Sequence, residues 1–327
     1  MPIKFERQKL PSPIKLTETD VVIMKAFHDY GPLSIDHLCL ETGKSSYQYM
    51  RKRTKMLSDH GYLIRPPIQD EVYGYRTGKG SRPFIHQLGQ RGAEYLRDRF
   101  GHQLNTSNWD DRAKRRKGIR GQSMFEHDVL ANGVLIALKR AYAAREGFEV
   151  LSPSDILEAA PVATQEMRGD AFSMPTRYVW PEDNKIHERN VIPDGVFAYR
   201  TGGDQPQTWL VFVEFDNDTM PHHRKEGSRT SIQQKIVAYN GLWNEARGVN
   251  LPKQRFGIDR FQVMFVTGGS NVHMSNMVQA SAEIHRAAGR QVPKGKFFFT
   301  TLEEFNRSPN PLEKIWWHCQ GGIRGFT

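Results

Sequence analysis

The chain has 327 residues, long enough for two domains with cores of their own. Its 46 Lys and Arg against 36 Asp and Glu leave a net charge of +10, which favours a polyanion as partner, nucleic acid before an anionic membrane surface. No apolar run of ~18 residues occurs, so no membrane span is expected; Met1 to Arg7 carries no apolar leader core, and Cys39 and Cys319 are too few for a disulfide scaffold or zinc site, which fits a reducing cytoplasm.

Thr17 and Thr19 are capping candidates for a first helix in which Ile23, Phe27 and Tyr30 recur at i, i+4, i+7; Gly31-Pro32 ends it. Ser34 opens a second helix with Ile35 and Leu38 inward. Ser45 opens a third, to about Asp59, with Met50 and Leu57 inward and Arg51, Lys52, Arg53 and Lys55 around them. A strand over 61–64, a polar Gly-rich stretch from Tyr73 to Arg82 and a returning strand over 83–88 follow, closed by a helix from Gln90. This order looks like a winged helix-turn-helix, whose third helix enters the major groove of double-stranded DNA while basic side chains hold phosphates. Tyr47, Gln48, Arg51 and Lys52 then stand nearest the bases, Lys55 follows on the same helix, and Lys79 and Arg82 belong to the wing. A solvated basic helix in a protein-interaction domain has the same pattern and stays open. Residues 101–123 read as a basic linker in which Arg115, Arg116 and Lys117 are placed to touch phosphates without base specificity.

From Met124 to about Arg145 the pattern is helical, and Glu126, Leu130, Gly133 and Ala137 fall on one stripe that would turn Glu126 inward, with a surface residue that complements the helix dipole as the open alternative. Residues 148–151 read as a strand, and 153–190 as a loop-rich insertion. Two strands come next, each with acids at one end. Asp194 starts the run Val196-Phe-Ala-Tyr199, and Glu214 and Asp216 end the run from Leu210. Alternation puts Glu214 and Asp216 on one face, and an antiparallel hairpin brings Asp194 beside them. Three neighbouring acids call for a positive partner, most simply a divalent metal; a solvated hairpin end is the alternative that spacing alone leaves open. His222 and His223 lie in a polar loop and suit phosphate contact or exposure better than metal. A helix from Ser231 to Arg247 has Ile232, Ile236, Tyr239 and Trp243 as its apolar stripe, with Lys235 and Tyr239 facing one way. A strand over 261–267, a helix over 271–288, a strand over 296–300 and a short helix complete an α/β domain with a central mixed sheet.

The helix with Glu126, Pro193-Asp194-Gly195, Glu214-x-Asp216 and the helix with Lys235 and Tyr239 together resemble the PD-(D/E)xK nuclease superfamily. With the winged helix and the His127-Asp128 pair they resemble, more closely, the plasmid replication-relaxation family. The resemblance implies a domain of 1–100 that binds double-stranded DNA, the linker 101–123, and a nuclease-like α/β domain of 124–327. It further implies catalytic roles for Glu126, Asp194, Glu214, Asp216 and Lys235, and a magnesium or manganese ion on Asp194 and Glu214, with Asp216 a further ligand. This chain departs from the pattern where the motif's lysine belongs, since that position is Asp216, and Lys235 from the next helix is the substitute. The expected activity is a metal-dependent DNA endonuclease or nickase of a plasmid or other mobile element, with a homodimer left open. The competing expectations are a DNA-binding replication initiator or regulator with an inactive nuclease-like domain, and a protein-binding adaptor.

Overall fold

The structure, a computed structural model, describes residues 14–69, 84–100, 118–167, 170–180, 185–217, 231–244, 249–287, 296–319 and 322–326. The chain divides into two compact units, Met1–Ile136 and Ala137–Thr327.

The first three helices start where a hydroxyl takes up an N–H that the helix leaves unpaired. Thr17 caps α1 (Glu18–Tyr30) in a capping box with Asp20. Ser34, which ends β1 (Leu33–Ser34), caps α2 (Ile35–Thr42). Ser46, one residue beyond the expected Ser45, caps α3 (Tyr47–Asp59). Then come β2 (Leu63–Ile64), β3 (Ile85–Leu88) and α4 (Gln90–Phe100). The small sheet has the order β1-β3-β2 and is antiparallel throughout. Ile23, Phe27, Leu38, Met50, Leu57 and Leu96 are fully buried. Arg53, grouped by the sequence with the surface cations, instead donates to the wholly buried Asp20 and so ties α3 to α1. Removing either partner would leave an uncompensated charge.

The next helix, α5 (Gly118–Ala143), starts inside the stretch expected to be linker and runs from the first unit into the second. Phe125 and Val129 join Ile68 and Ile85 in a small core, and Asn132 Nδ2 donates to Pro32 O at 3.0 Å. Phe125 takes the inward position expected for Glu126. Glu126 is exposed, because the buried stripe of α5 runs one residue off the one the sequence suggested.

On β3, burial, reinforced by the charge of Arg65, pushes the His86 imidazole down to about 4 from 6.5. A group whose folded pKa is depressed contributes stability that is full above its unfolded value and is lost as pH falls. The window here runs from pH 6.5 down to about 4. Urea denaturation should show the wild type losing roughly 3 kcal/mol more over this window than His86→Gln. Equal slopes for the two proteins would exclude His86 as the cause.

The second unit is built on a seven-stranded mixed sheet. In chain order its elements are β4 (Glu149–Leu151), α6 (Pro153–Glu158), α7 (Val162–Gln165), β5 (Met174–Val179), β6 (Ile186–Val191), β7 (Gly195–Arg200), β8 (Thr208–Asp216), α8 (Ile232–Gly241), β9 (Trp243–Asn244), β10 (Val249–Asn250), α9 (Leu251–Phe256), β11 (Arg260–Thr267), α10 (Asn271–Ala287), β12 (Phe297–Thr301), α11 (Leu302–Arg307), β13 (Trp316–His318) and β14 (Ile323–Arg324). The sheet order is β14-β13-β12-β11-β8-β7-β4. Strands β8, β11 and β12 are mutually parallel, and the remaining pairs are antiparallel.

Alternation along the strands decides the layers. Val196, Phe212, Val263, Phe265 and Phe299 face one way into a core with Ile236 and Tyr239 of α8 and Met274 and Met277 of α10. On the other face Tyr142 of α5 stacks on Tyr199 at 4.4 Å and accepts a hydrogen bond from Gln262 at 2.8 Å. Two expectations fail here. The stretch read as a loop-rich insertion holds two short helices and the β5–β6 hairpin, in which Met174, Thr176 and Tyr178 alternate inward. The helix expected to reach Arg247 ends at Gly241, so Trp243 starts a short strand and is 40% exposed.

The hairpin presses on Gly241. A Cβ there would lie 2.2 Å from Thr176 Oγ1 and 3.1 Å from Arg177 O. Alanine is the better helix residue by about 1 kcal/mol, yet Thr176 is β-branched and held in a strand, so it cannot swing away. Gly241→Ala should therefore destabilise by about 1–3 kcal/mol in urea denaturation, and a gain in stability would refute the close approach.

Candidate functional site

The register of β7 on β8 builds the site. Gly195 pairs with Val213, so Asp194, the residue before it, stands beside Glu214. The pairing ends there, and the Asp194 carboxylate takes the Phe215 N–H at 2.9 Å in place of a strand partner. Glu214 is 2% exposed and lies on the face covered by α8. One helical turn separates Lys235 from Tyr239, and both reach it. The Lys235 ammonium donates to Glu214 Oε2 and lies 3.8 Å from Asp194 Oδ2. The Tyr239 hydroxyl donates to Glu214 Oε1 at 2.5 Å, its ring packed on Phe212. Ser231 starts this helix with a capping box, which fixes the turn that carries Lys235.

Burial sets the protonation states. It pushes the Glu214 carboxyl up to about 7; Lys235 pulls it down and Asp194 adds to the rise. Burial lowers the Lys235 ammonium, but Asp194 and Glu214 outweigh that, and its net shift is upward. Lys235 is thus a fixed positive charge. Burial, then the charge of Glu214, raises the Tyr239 hydroxyl well above 10, so it stays protonated.

Glu214 and Asp216 share a face, but different helices engage them. Asp216 is 3% exposed and bonds His273 Nε2 at 2.7 Å, from the first turn of α10. Thr267 Oγ1 lies 3.5 Å from the same oxygen, because β11 pairs Thr267 with Asp216. Two residues of strand advance by ~7 Å, enough for the two acids to meet separate partners. Of the three expected acids, Asp194 and Glu214 stand closest to Lys235, while Asp216 bonds His273 and its charge still acts on Lys235. Among the described residues no group of three or more His, Cys, Asp or Glu side chains is arranged to hold a metal ion.

His273 was missed by sequence reasoning. Its signal was topological: a helix that follows a strand parallel to β8 begins over that strand's C-terminal end. Glu126 belongs to the first unit and is exposed. Of the residues expected to meet DNA, Gln48, Arg51, Lys52 and Lys55 are exposed on α3 and Tyr47 is half-buried, with Lys55 bound to Asp59 at 2.6 Å. Lys79, Arg82, Arg115, Arg116 and Lys117 lie outside the described residues, as do His222 and His223.

Fold and site together define a basic α/β protein whose larger unit holds a buried carboxylate–lysine–tyrosine constellation at the edge of a β-hairpin. The chain belongs to the replication-relaxation family, whose model matches residues 33–254. The match includes Asp194, Glu214, Asp216, Lys235 and Tyr239 and stops before His273. Comparison with curated proteins and with solved structures found no match. No helix among the described residues is long and apolar enough to cross a membrane.

Proposed function

We propose that this replication-related protein is a metal-dependent endonuclease or nickase acting on plasmid or other mobile-element DNA. In this reading the first unit is a winged helix-turn-helix and the second a PD-(D/E)xK-like nuclease domain. The observation that carries the reading is the position of Lys235: its ammonium reaches Glu214 and comes within 3.8 Å of Asp194 although it starts from a helix and not from the strand. Two carboxylates and a lysine thus meet even though Asp216 occupies the usual lysine position.

The donors suit a hard divalent cation in kind. Carboxylate oxygens of Asp194 and Glu214 stand side by side and already bracket one positive charge, and magnesium takes one or two carboxylates with phosphate and water completing its shell. When bound, such an ion supplies a lowered water pKa and neutralises charge on the phosphate. Asp194 and Glu214 would hold it. Lys235, fixed as an ammonium, stabilises negative charge on the phosphate and is no base. Tyr239 keeps Glu214 oriented; buried and hydrogen-bonded, it is poorly placed as a nucleophile, which favours hydrolysis over a covalent tyrosine intermediate. Asp216 holds the His273 imidazole beside this group as a second polar contact for the substrate.

A second reading has its own support. Both oxygens of Glu214 are occupied, one by Lys235 and one by Tyr239, and a site that stays so would make the protein a DNA-binding initiator or regulator that does not cut. Nicking of supercoiled plasmid in magnesium or manganese separates the two. Cleavage by the wild type supports the first, and sequence-specific binding with intact plasmid supports the second.

A further inference from the structure

We infer that Arg51, Phe84 and Arg65 form a phosphate clamp for double-stranded DNA on the first unit, with Phe84 as the platform that positions both guanidinium groups. The inference rests on the reading of this unit as DNA-binding, and it adds a residue, Arg65, that no pattern in the sequence marked.

The four basic residues in the middle of α3 are not equivalent. Arg53 is spent on buried Asp20, and Lys55 is paired with Asp59. Arg51 and Lys52 are exposed and make no ion pair among the described residues. Arg51 is further restrained, since its Cζ lies 4.8 Å from the centroid of the Phe84 ring. Phe84 is half-buried at the start of β3. The same ring receives a second guanidinium, with Arg65 Cζ at 4.9 Å. Arg65 is exposed just past the end of β2, and it too makes no ion pair among the described residues.

Two like charges gathered on one ring repel each other, and stacking on the ring face offsets only part of that. An anion between or beside them removes the repulsion. Both Cζ atoms lie close to one centroid, so they are no more than ~10 Å apart, a span within which neighbouring phosphates of one duplex strand fall. Stacking leaves the hydrogen-bonding edge of a guanidinium available, which is how arginine recognises a phosphate oxygen pair. Phe84 therefore reduces the freedom that each arginine would lose on binding.

The test uses the full-length protein and a labelled duplex of arbitrary sequence, with affinity followed by fluorescence anisotropy across a potassium chloride series. Arg51→Gln and Arg65→Gln should each weaken binding several-fold at low salt and reduce the slope of log affinity against log salt by about 1. Phe84→Leu should weaken binding although it removes no charge, and Phe84→Tyr should restore it. Arg307→Gln, an exposed cation of the second unit paired with Glu303, serves as the charge-matched control with an unchanged slope. An unchanged slope for Arg65→Gln, or full affinity in Phe84→Leu, overturns the clamp while the DNA-binding reading stands. A wild type that binds no duplex even at low salt overturns both.

Discussion

Lys235→Met is expected to cost about 3–5 kcal/mol of stability, the largest effect of any single exchange in the second unit's site. The residue is only 18% exposed, and its charge answers Glu214, which is 2% exposed, and Asp194. Methionine keeps most of the packing and removes the charge, leaving the two carboxylates facing each other. The sign of the pH dependence follows from the upward shift of Glu214. Its folded state binds a proton more readily than its unfolded state between 4.5 and about 7, so its contribution falls as pH rises through that window and is flat above it. Lys235 itself shifts upward, and its contribution persists until pH passes 10.5. Without Lys235 the Glu214 window extends higher, so Lys235→Met should be milder at pH 5 than at pH 8. Adding Glu214→Gln should recover at least half of the loss in urea denaturation, since the amide needs no counter-charge. If the single variant were as stable as the wild type at pH 8, the ion pair would have no energetic role.

On the proposed nuclease reading, Asp194→Asn and Glu214→Gln should each slow plasmid nicking by ~10³-fold, about 4 kcal/mol of transition-state stabilisation, while changing duplex affinity little. Amides are chosen over alanine because Asp194 also accepts the Phe215 N–H, and asparagine keeps an oxygen for it. Single-turnover nicking measured alongside anisotropy separates chemistry from binding. Activity retained by both variants would remove these acids from the mechanism. Loss of affinity in step with loss of cleavage would point to misfolding.

Much of the second unit's site was legible because it is local. Alternation put Glu214 and Asp216 on one face, a short polar turn brought Asp194 back beside them, and one helical turn aligned Lys235 with Tyr239. What escaped depends on distant pairing. His273 meets Asp216 only because β11 runs parallel to β8, and sequence spacing carries no mark of that choice. The β5–β6 hairpin had a readable alternation at Met174, Thr176 and Tyr178, obscured by Pro175 and the charged residues between. In α5 the small and apolar residues fall on more than one face, because the helix is buried on several sides, so Glu126 was assigned to the wrong stripe. In the first unit the caps announced α1, α2 and α3 to within a residue, but not that Arg53 turns inward, since its partner Asp20 sits in another helix.

The Asp20–Arg53 tie sets a rule for any chimera that exchanges α3. Gln48 and Lys52 lie on the outside of α3 and can be exchanged, whereas Arg53, with Met50, Thr54 and Leu57, is part of the frame. A transplanted helix must bring an arginine at 53, or arrive together with a donor α1 lacking the acid at 20. A graft that ignores this pairing would yield insoluble chains.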